Sequence, residues 1–270
     1  MSRPFHASTA FAPPQLPLLA ADGPSPNPMV AKLGRFARLS AEDKEVLDHL
    51  AQTRVRQAGR REDIIREGDP PRTLRLFLSG WACRSKTLED GRRQIVSFLL
   101  PGDLCDLNVF VLREMDHTIS TLTPVTYAEV SYDSVDAITS RYPRITQALL
   151  WDTLVASAIA REWVLNMGQR SAIERMAHLF CEIHLRLRAV NLANGGRIKM
   201  PLPQSDLAEA TGLSAVHVNR TLMEMRSRGL ITFGGGELDI LDLEALKEVA
   251  LFNPNYLHLD RAGSHLDANA

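Results

Sequence analysis

The residues best suited to chemistry lie near the C-terminal end, in the string Ser214-Ala215-Val216-His217-Val218-Asn219-Arg220. Ser214 is a helix N-cap residue, and Ala215, His217, Asn219 and Arg220 fall on or near the outer face of the turns that follow it. An arginine so placed can take guanine O6 and N7 together. Helix-start N–H groups, with the Ser214 hydroxyl, can hold a phosphate. That chemistry is recognition, not bond-making.

A second set is Cys105, Asp106, His117 and Thr118. Cys105 reads as an exposed turn residue between Asp103 and Asp106, whose charges oppose a reactive thiolate. His117 beside Asp116 could ligate a metal, but a metal site inside a β-barrel needs two or three histidines, and between Arg54 and Tyr132 His117 stands alone. Neither a Gly-x-Ser-x-Gly elbow nor a His-Glu-x-x-His helix occurs, so an enzyme is not expected. Three cysteines cannot ligate a four-cysteine cluster. Cys83 and Cys181 lie in apolar segments and read as packing residues. Trp81, Trp151 and Trp163 read as core.

The elements that would position the first set can be read in turn. Leu202 to Met225 has the pattern of a helix-turn-helix. Ala208 is small where two helices meet, Gly212 tolerates the positive φ of the turn, and Val218 and Leu222 share an inner face. Gly229 to Ile240 reads as two strands around Gly234-Gly235-Gly236, a hairpin turn and the wing of a winged helix. Arg220, Arg226 and Arg228 oppose only Glu224 between Ser214 and Gly229. The whole chain carries 31 basic and 32 acidic residues, so the case for DNA rests on this local motif and not on bulk charge.

Upstream, residues 1–28 are Pro- and Ala-rich and read as a disordered arm. Pro13, Pro14 and Pro17 interrupt its apolar patch, which argues against a signal peptide. No run of 18 or more apolar residues occurs, so a cytoplasmic protein away from membranes is expected. A helical stretch from Met29 to about Arg56 is capped at Ser40. From Arg54 to Tyr132 short apolar runs separated by turns, among them Asp90-Gly91, imply a sandwich, barrel or roll. From Pro143 one long helix runs to about Gly168, with Trp151, Leu154, Val155, Ala158 and Ile159 on one apolar face. That face could pack on the β domain or on the same helix of a second copy. Another helix spans Ser171 to Arg188, and Asn194-Gly195-Gly196 is a turn. The implied division is 29–140 for the roll, 141–169 for the long helix, 170–252 for the winged helix-turn-helix and 253–270 for a flexible tail.

This order resembles the Crp/Fnr family of bacterial transcription regulators. The resemblance is strongest in Pro101-Gly102-Asp103, in Gly212-Leu213-Ser214 through Arg220, and in Gly229-Leu230-Ile231. It implies an α+β fold: an N-terminal β-roll of double-stranded β-helix or jelly-roll type, a long dimerisation helix and a C-terminal winged helix-turn-helix. It also implies a homodimer on double-stranded promoter DNA, and contact with RNA polymerase. Cyclic-nucleotide binders of the family offer a Gly-Glu pair and an Arg-Ser pair to the ligand. By position Cys105-Asp106 and His117-Thr118 stand there instead, and His117 lacks the arginine fork that holds a phosphate. A cyclic nucleotide is therefore not expected, and the effector is unknown. Val216 stands where better-known members carry a glutamate. That leaves a second reading, a ligand-binding or redox-sensing module whose helix-turn-helix is structural.

Overall fold

The computed structural model describes residues 27–105 and 112–259. The helical stretch at the start is two helices, α1 (Pro28–Leu33) and α2 (Ala41–Gln52). Asn27 caps the first, and a full capping box between Ser40 and Asp43 starts the second.

The roll follows. One sheet has the order β1 (Val55–Ala58), β8 (Val125–Val130), β3 (Leu74–Ser79), β6 (Leu104–Cys105). The other has the order β2 (Asp63–Ile65), β7 (Thr118–Thr121), β4 (Ala82–Thr87), β5 (Arg93–Leu99). Every pairing in the two sheets is antiparallel, and the interleaved strand order is that of a jelly roll. Leu76, Phe77, Ile95, Phe98, Ile119 and Ala128, from both sheets, are buried in one core.

Helix α3 (Tyr132–Arg141), capped by Ser131, leads into the long α4 (Pro143–Gln169). Helix α3 buries Ile138 alone, so no apolar repeat marks it in the sequence. Along α4, Ile145, Ala148, Leu149, Val155, Ala158, Ile159 and Trp163 are buried by this chain. Leu150, Leu154, Ser157, Arg161, Val164 and Gly168 are exposed. Those exposed positions alternate steps of four and three residues, the heptad spacing of a paired-helix seam. The face expected from sequence is thus divided. Val155, Ala158 and Ile159 pack within this chain, Trp151 is half-buried, and Leu154 lies on the open side.

Helix α5 (Ala172–Ala189), started by a Ser171–Glu174 capping box, is almost wholly buried. Then come β9 (Ala193–Asn194), β10 (Arg197–Lys199), α6 (Gln204–Thr211), α7 (Ala215–Ser227), β11 (Ile231–Gly234), β12 (Glu237–Ile240) and α8 (Leu243–Ala250). The four short strands form one antiparallel sheet in the order β11-β12-β10-β9.

Residues 253–259 are not a loose tail. Pro254–Leu257 forms a 3₁₀ turn, Leu257 is buried, the Tyr256 hydroxyl donates to Glu182 at 3.1 Å, and the His258 ring meets Trp151 edge-on. This strap was not foreseen because its partners lie about 75 to 110 residues upstream. The rest of the expected tail, 260–270, and nearly all of the expected arm lie outside the described residues.

Candidate nucleic-acid interface

Helix α6 ends at Gly212, which takes φ 65°, the left-handed conformation that lets the chain reverse within two residues. Ser214 then starts α7, its hydroxyl accepting the His217 N–H at 3.2 Å. Val218, Thr221, Leu222 and Met225 face inward at steps of three, one and three residues. That inner face leaves Ala215, Val216, Asn219, Arg220 and Met223 outward, with Val216 81% exposed. His217 is half-buried. The Asn219 amide donates to Gln204 Oε1 at 3.3 Å, which ties the start of α7 to the start of α6. Ser214, Ala215, Val216, Asn219 and Arg220 thus form one open surface at the α7 N-terminus, with His217 at its margin.

The wing follows α7. Gly235 and Gly236, with φ of 61° and 79°, make the two-residue turn between β11 and β12. Arg226 donates to the Phe233 carbonyl, fixing the wing to the end of α7.

Of the second set, Cys105, His117 and Thr118 lie among the described residues. Cys105 was expected in an exposed turn but is 2% exposed, because Leu104-Cys105 forms strand β6 opposite Arg75 and turns the thiol inward. Asp106 lies outside the described residues. His117 Nδ1 lies 2.6 Å from Asp116, and Thr118 opens β7 with its hydroxyl accepting the Glu67 N–H at 3.1 Å. Burial pushes the Cys83 thiol up to about 11, although Arg93 lies beside it, and the Cys181 thiol up to about 12. Neither is a ready thiolate near neutral pH. Among the described residues no group of three or more His, Cys, Asp or Glu side chains could hold a metal ion.

Sequence reasoning missed a charged network beside the roll. Asp103 accepts from Lys32 at 2.7 Å, from Arg186 at 2.8 Å and from the Leu100 N–H at 2.8 Å. Burial opposes its ionisation, but the Lys32 and Arg186 charges win and hold its pKa down at about 2. Asp152 also pairs with Lys32, at 2.6 Å. Its pKa is raised, first by burial and then by repulsion from Asp103, whereas Asp103 has two cations. Arg186 continues the chain to Glu182 at 3.3 Å, and Trp163 Nε1–H donates to the same carboxylate at 3.2 Å. Burial raises the pKa of Glu182. Lys32, Asp103, Asp152 and Arg186 border a cavity of about 90 Å³ between the roll, α4 and the strap, lined also by Arg84, Phe98, Ile159 and Leu257. Arg113, the one permanent cation foreseen near the effector cassette, is exposed. The cations at the cavity are Lys32, Arg84 and Arg186 instead, brought there from far along the chain.

Comparison with known proteins agrees with this architecture. Residues 55–142 match the model of the cyclic nucleotide-binding domain, and residues 174–249 match that of the Crp-like helix-turn-helix domain. Over 206 residues the chain is 30% identical to the transcriptional activator protein FnrL of Cereibacter sphaeroides, covering 74% of this chain and 80% of that protein. It is 26% identical to the nitrogen fixation regulation protein FixK of Bradyrhizobium diazoefficiens, covering 78% and 87%. Among solved structures, FixK2 from Bradyrhizobium japonicum superposes with a TM-score of 0.65 at 23% identity, over 72% of this chain and 96% of that one. The chain therefore belongs to the Crp/Fnr family of transcription regulators: it is a sequence-specific DNA-binding protein and not an enzyme.

Proposed function

We propose that the protein reads a two-fold symmetric operator as a homodimer, with α7 of each copy in the major groove and α4 paired along its exposed seam. The observation that carries this reading is the pair of open surfaces on one chain. One is the polar start of α7. The other is the Leu150, Leu154 and Val164 stripe at heptad spacing, which an isolated chain leaves in water. Ser214 and the first N–H groups of α7 hold a phosphate, Arg220 reads a guanine, and Ala215, Val216, His217 and Asn219 shape the remaining contact. An apolar Val216 suits a thymine methyl better than a hydrogen-bonding base edge.

The protein works in the cytoplasm and contacts RNA polymerase, as the names of the activators it resembles suggest. The roll, residues 29–140, is the sensor, and its effector is not a cyclic nucleotide. Of the three cations at the cavity, Lys32 and Arg186 are neutralised by Asp103, Asp152 and Glu182, and Arg84 donates to the Ser97 hydroxyl at 3.1 Å. The cavity's 90 Å³ falls below the roughly 300 Å³ at which small-molecule sites usually begin.

Two measurements test the reading. Gel shifts with an operator selected from random sequence should show tight binding that weakens as salt rises. Loss of sequence preference in that experiment would favour the structural role for the helix-turn-helix instead. Titration calorimetry with cyclic AMP and cyclic GMP near pH 7.5 should give no micromolar isotherm, and operator binding should need neither.

A further inference from the structure

Helix α6 packs on the roll as well as on its own domain. Arg61, between β1 and β2, aims one terminal nitrogen at both carboxylate oxygens of Asp206, 2.8 and 2.9 Å away. Asp206 is 1% exposed, so its carboxylate has exchanged water for this guanidinium. The backbone at Arg61 takes φ 65°, a region non-glycine residues rarely occupy. Arg93, the first residue of β5, pairs with Glu209 at 2.5 Å, and the Gln94 amide donates to the Glu209 carbonyl. Arg93 is also held from behind, with its other terminal nitrogen 3.1 Å from Cys83 Sγ.

Asp206 and Glu209 are three residues apart and share one face of α6. Their partners come from beside β2 and from β5, the two edge strands of one sheet. Two anchors at separate points fix the angle of a helix as well as its place. The roll in turn is tied to α4 by Lys32, which bridges Asp103 to Asp152, and by Phe98 packed edge-on against Trp163 at 5.8 Å. A continuous set of contacts therefore runs from the α4 seam through the roll to α6, and from α6 to α7 through Gln204 and Asn219.

We propose that Arg61 and Arg93 are positioning residues that set the operator half-site spacing: by docking α6 on the roll they fix the distance of α7 from the dimer axis. The inference rests on the dimeric operator reading above. A dimer with rigidly held recognition helices accepts half-sites at one separation, and a dimer with loosely held ones accepts several.

The test uses the full-length protein and the selected operator, with one half-site moved by single base pairs about the preferred separation, and a separate oligonucleotide holding one half-site. The native protein should disfavour a one-base-pair change by about tenfold or more, and the Arg61→Ala/Arg93→Ala variant by about threefold or less. Both should bind the single half-site equally. An unchanged spacing profile in the variant overturns the proposal. Arg61→Ala leaves Asp206 buried without its guanidinium, so Arg61→Ala/Asp206→Asn and Arg93→Ala alone repeat the measurement without that penalty. Spin labels at Glu89→Cys and Met223→Cys, both exposed positions, read the docking without DNA. The distance should be narrow in the native background and broad once both arginines are replaced. A narrow, unshifted distance in the variant also overturns the proposal. If the native protein binds no half-site while the distance still broadens, the operator reading fails and the docking role of the two arginines stands.

Discussion

Leu154 and Val155 are adjacent on α4 and serve different surfaces: Leu154 is 57% exposed, while Val155 is 5% exposed and packed inside its own chain. One residue along a helix is a turn of about 100°, enough to cross from one face to another. The two substitutions should therefore fail differently. Leu154→Glu places charge in the proposed seam and should give folded monomers by sedimentation, with operator affinity greatly reduced. Val155→Glu buries a carboxylate and should lower thermal stability strongly, by about 3 kcal/mol or more. A folded, dimeric Leu154→Glu protein would show that the seam lies elsewhere.

Arg220 projects from the second turn of α7 with its side chain in solvent. Arg220→Ala should cost about 1–3 kcal/mol in specific binding and relax the preference at one guanine, as read by competition with operators altered one base at a time. Ser214→Ala should weaken all sequences about equally, because it removes a phosphate contact, and should cost about 1 kcal/mol of stability through the lost cap.

His178 is fully buried, stacked against Tyr256 and near Phe252, with the Asn166 amide 3.1 Å from Nδ1 and Glu162 3.4 Å from Nε2. Burial first, and the Arg170 charge second, push its pKa down to about 3. The folded value lies below the unfolded one. Well above pH 6.5, from about pH 7.5 upward, both states are neutral and the group contributes no slope. As pH falls below 6.5 the unfolded state takes up a proton that the folded state refuses, so stability drops by up to about 1.4 kcal/mol per pH unit. Urea melts at pH 7.5 and 5.5 should differ accordingly, and His178→Asn should flatten the difference. His184, also pushed down mainly by burial, contributes a slope of the same sign.

The strap predicts a further stability effect. Tyr256→Phe removes one of the donors to the buried Glu182 carboxylate and should cost about 1–3 kcal/mol. It should also expose residues beyond Leu251 to limited proteolysis. Stability and protection equal to the native protein would mean the hydroxyl contributes nothing to holding the strap.

How much of this was legible from sequence follows from the range of each cause. The Ser40–Asp43 capping box, the Pro143 helix start, the reversal at Gly212, the Ser214 cap and the glycine turn of the wing each depend on residues within about four positions. Local backbone chemistry determined them, and with them the order roll, long helix, winged helix-turn-helix. Tertiary structure alone decided that Cys105 points inward and that Leu154 and Val155 part company. It also brought Lys32 and Arg186, 71 and 83 residues away, onto Asp103, and docked Asp206 on Arg61 across 145 residues. A strand edge, a helix face or a carboxylate is compatible with several partners until the fold covers it. Which surface loses its water, and so which charge must be paired, is a property of the packed chain and not of any segment of it.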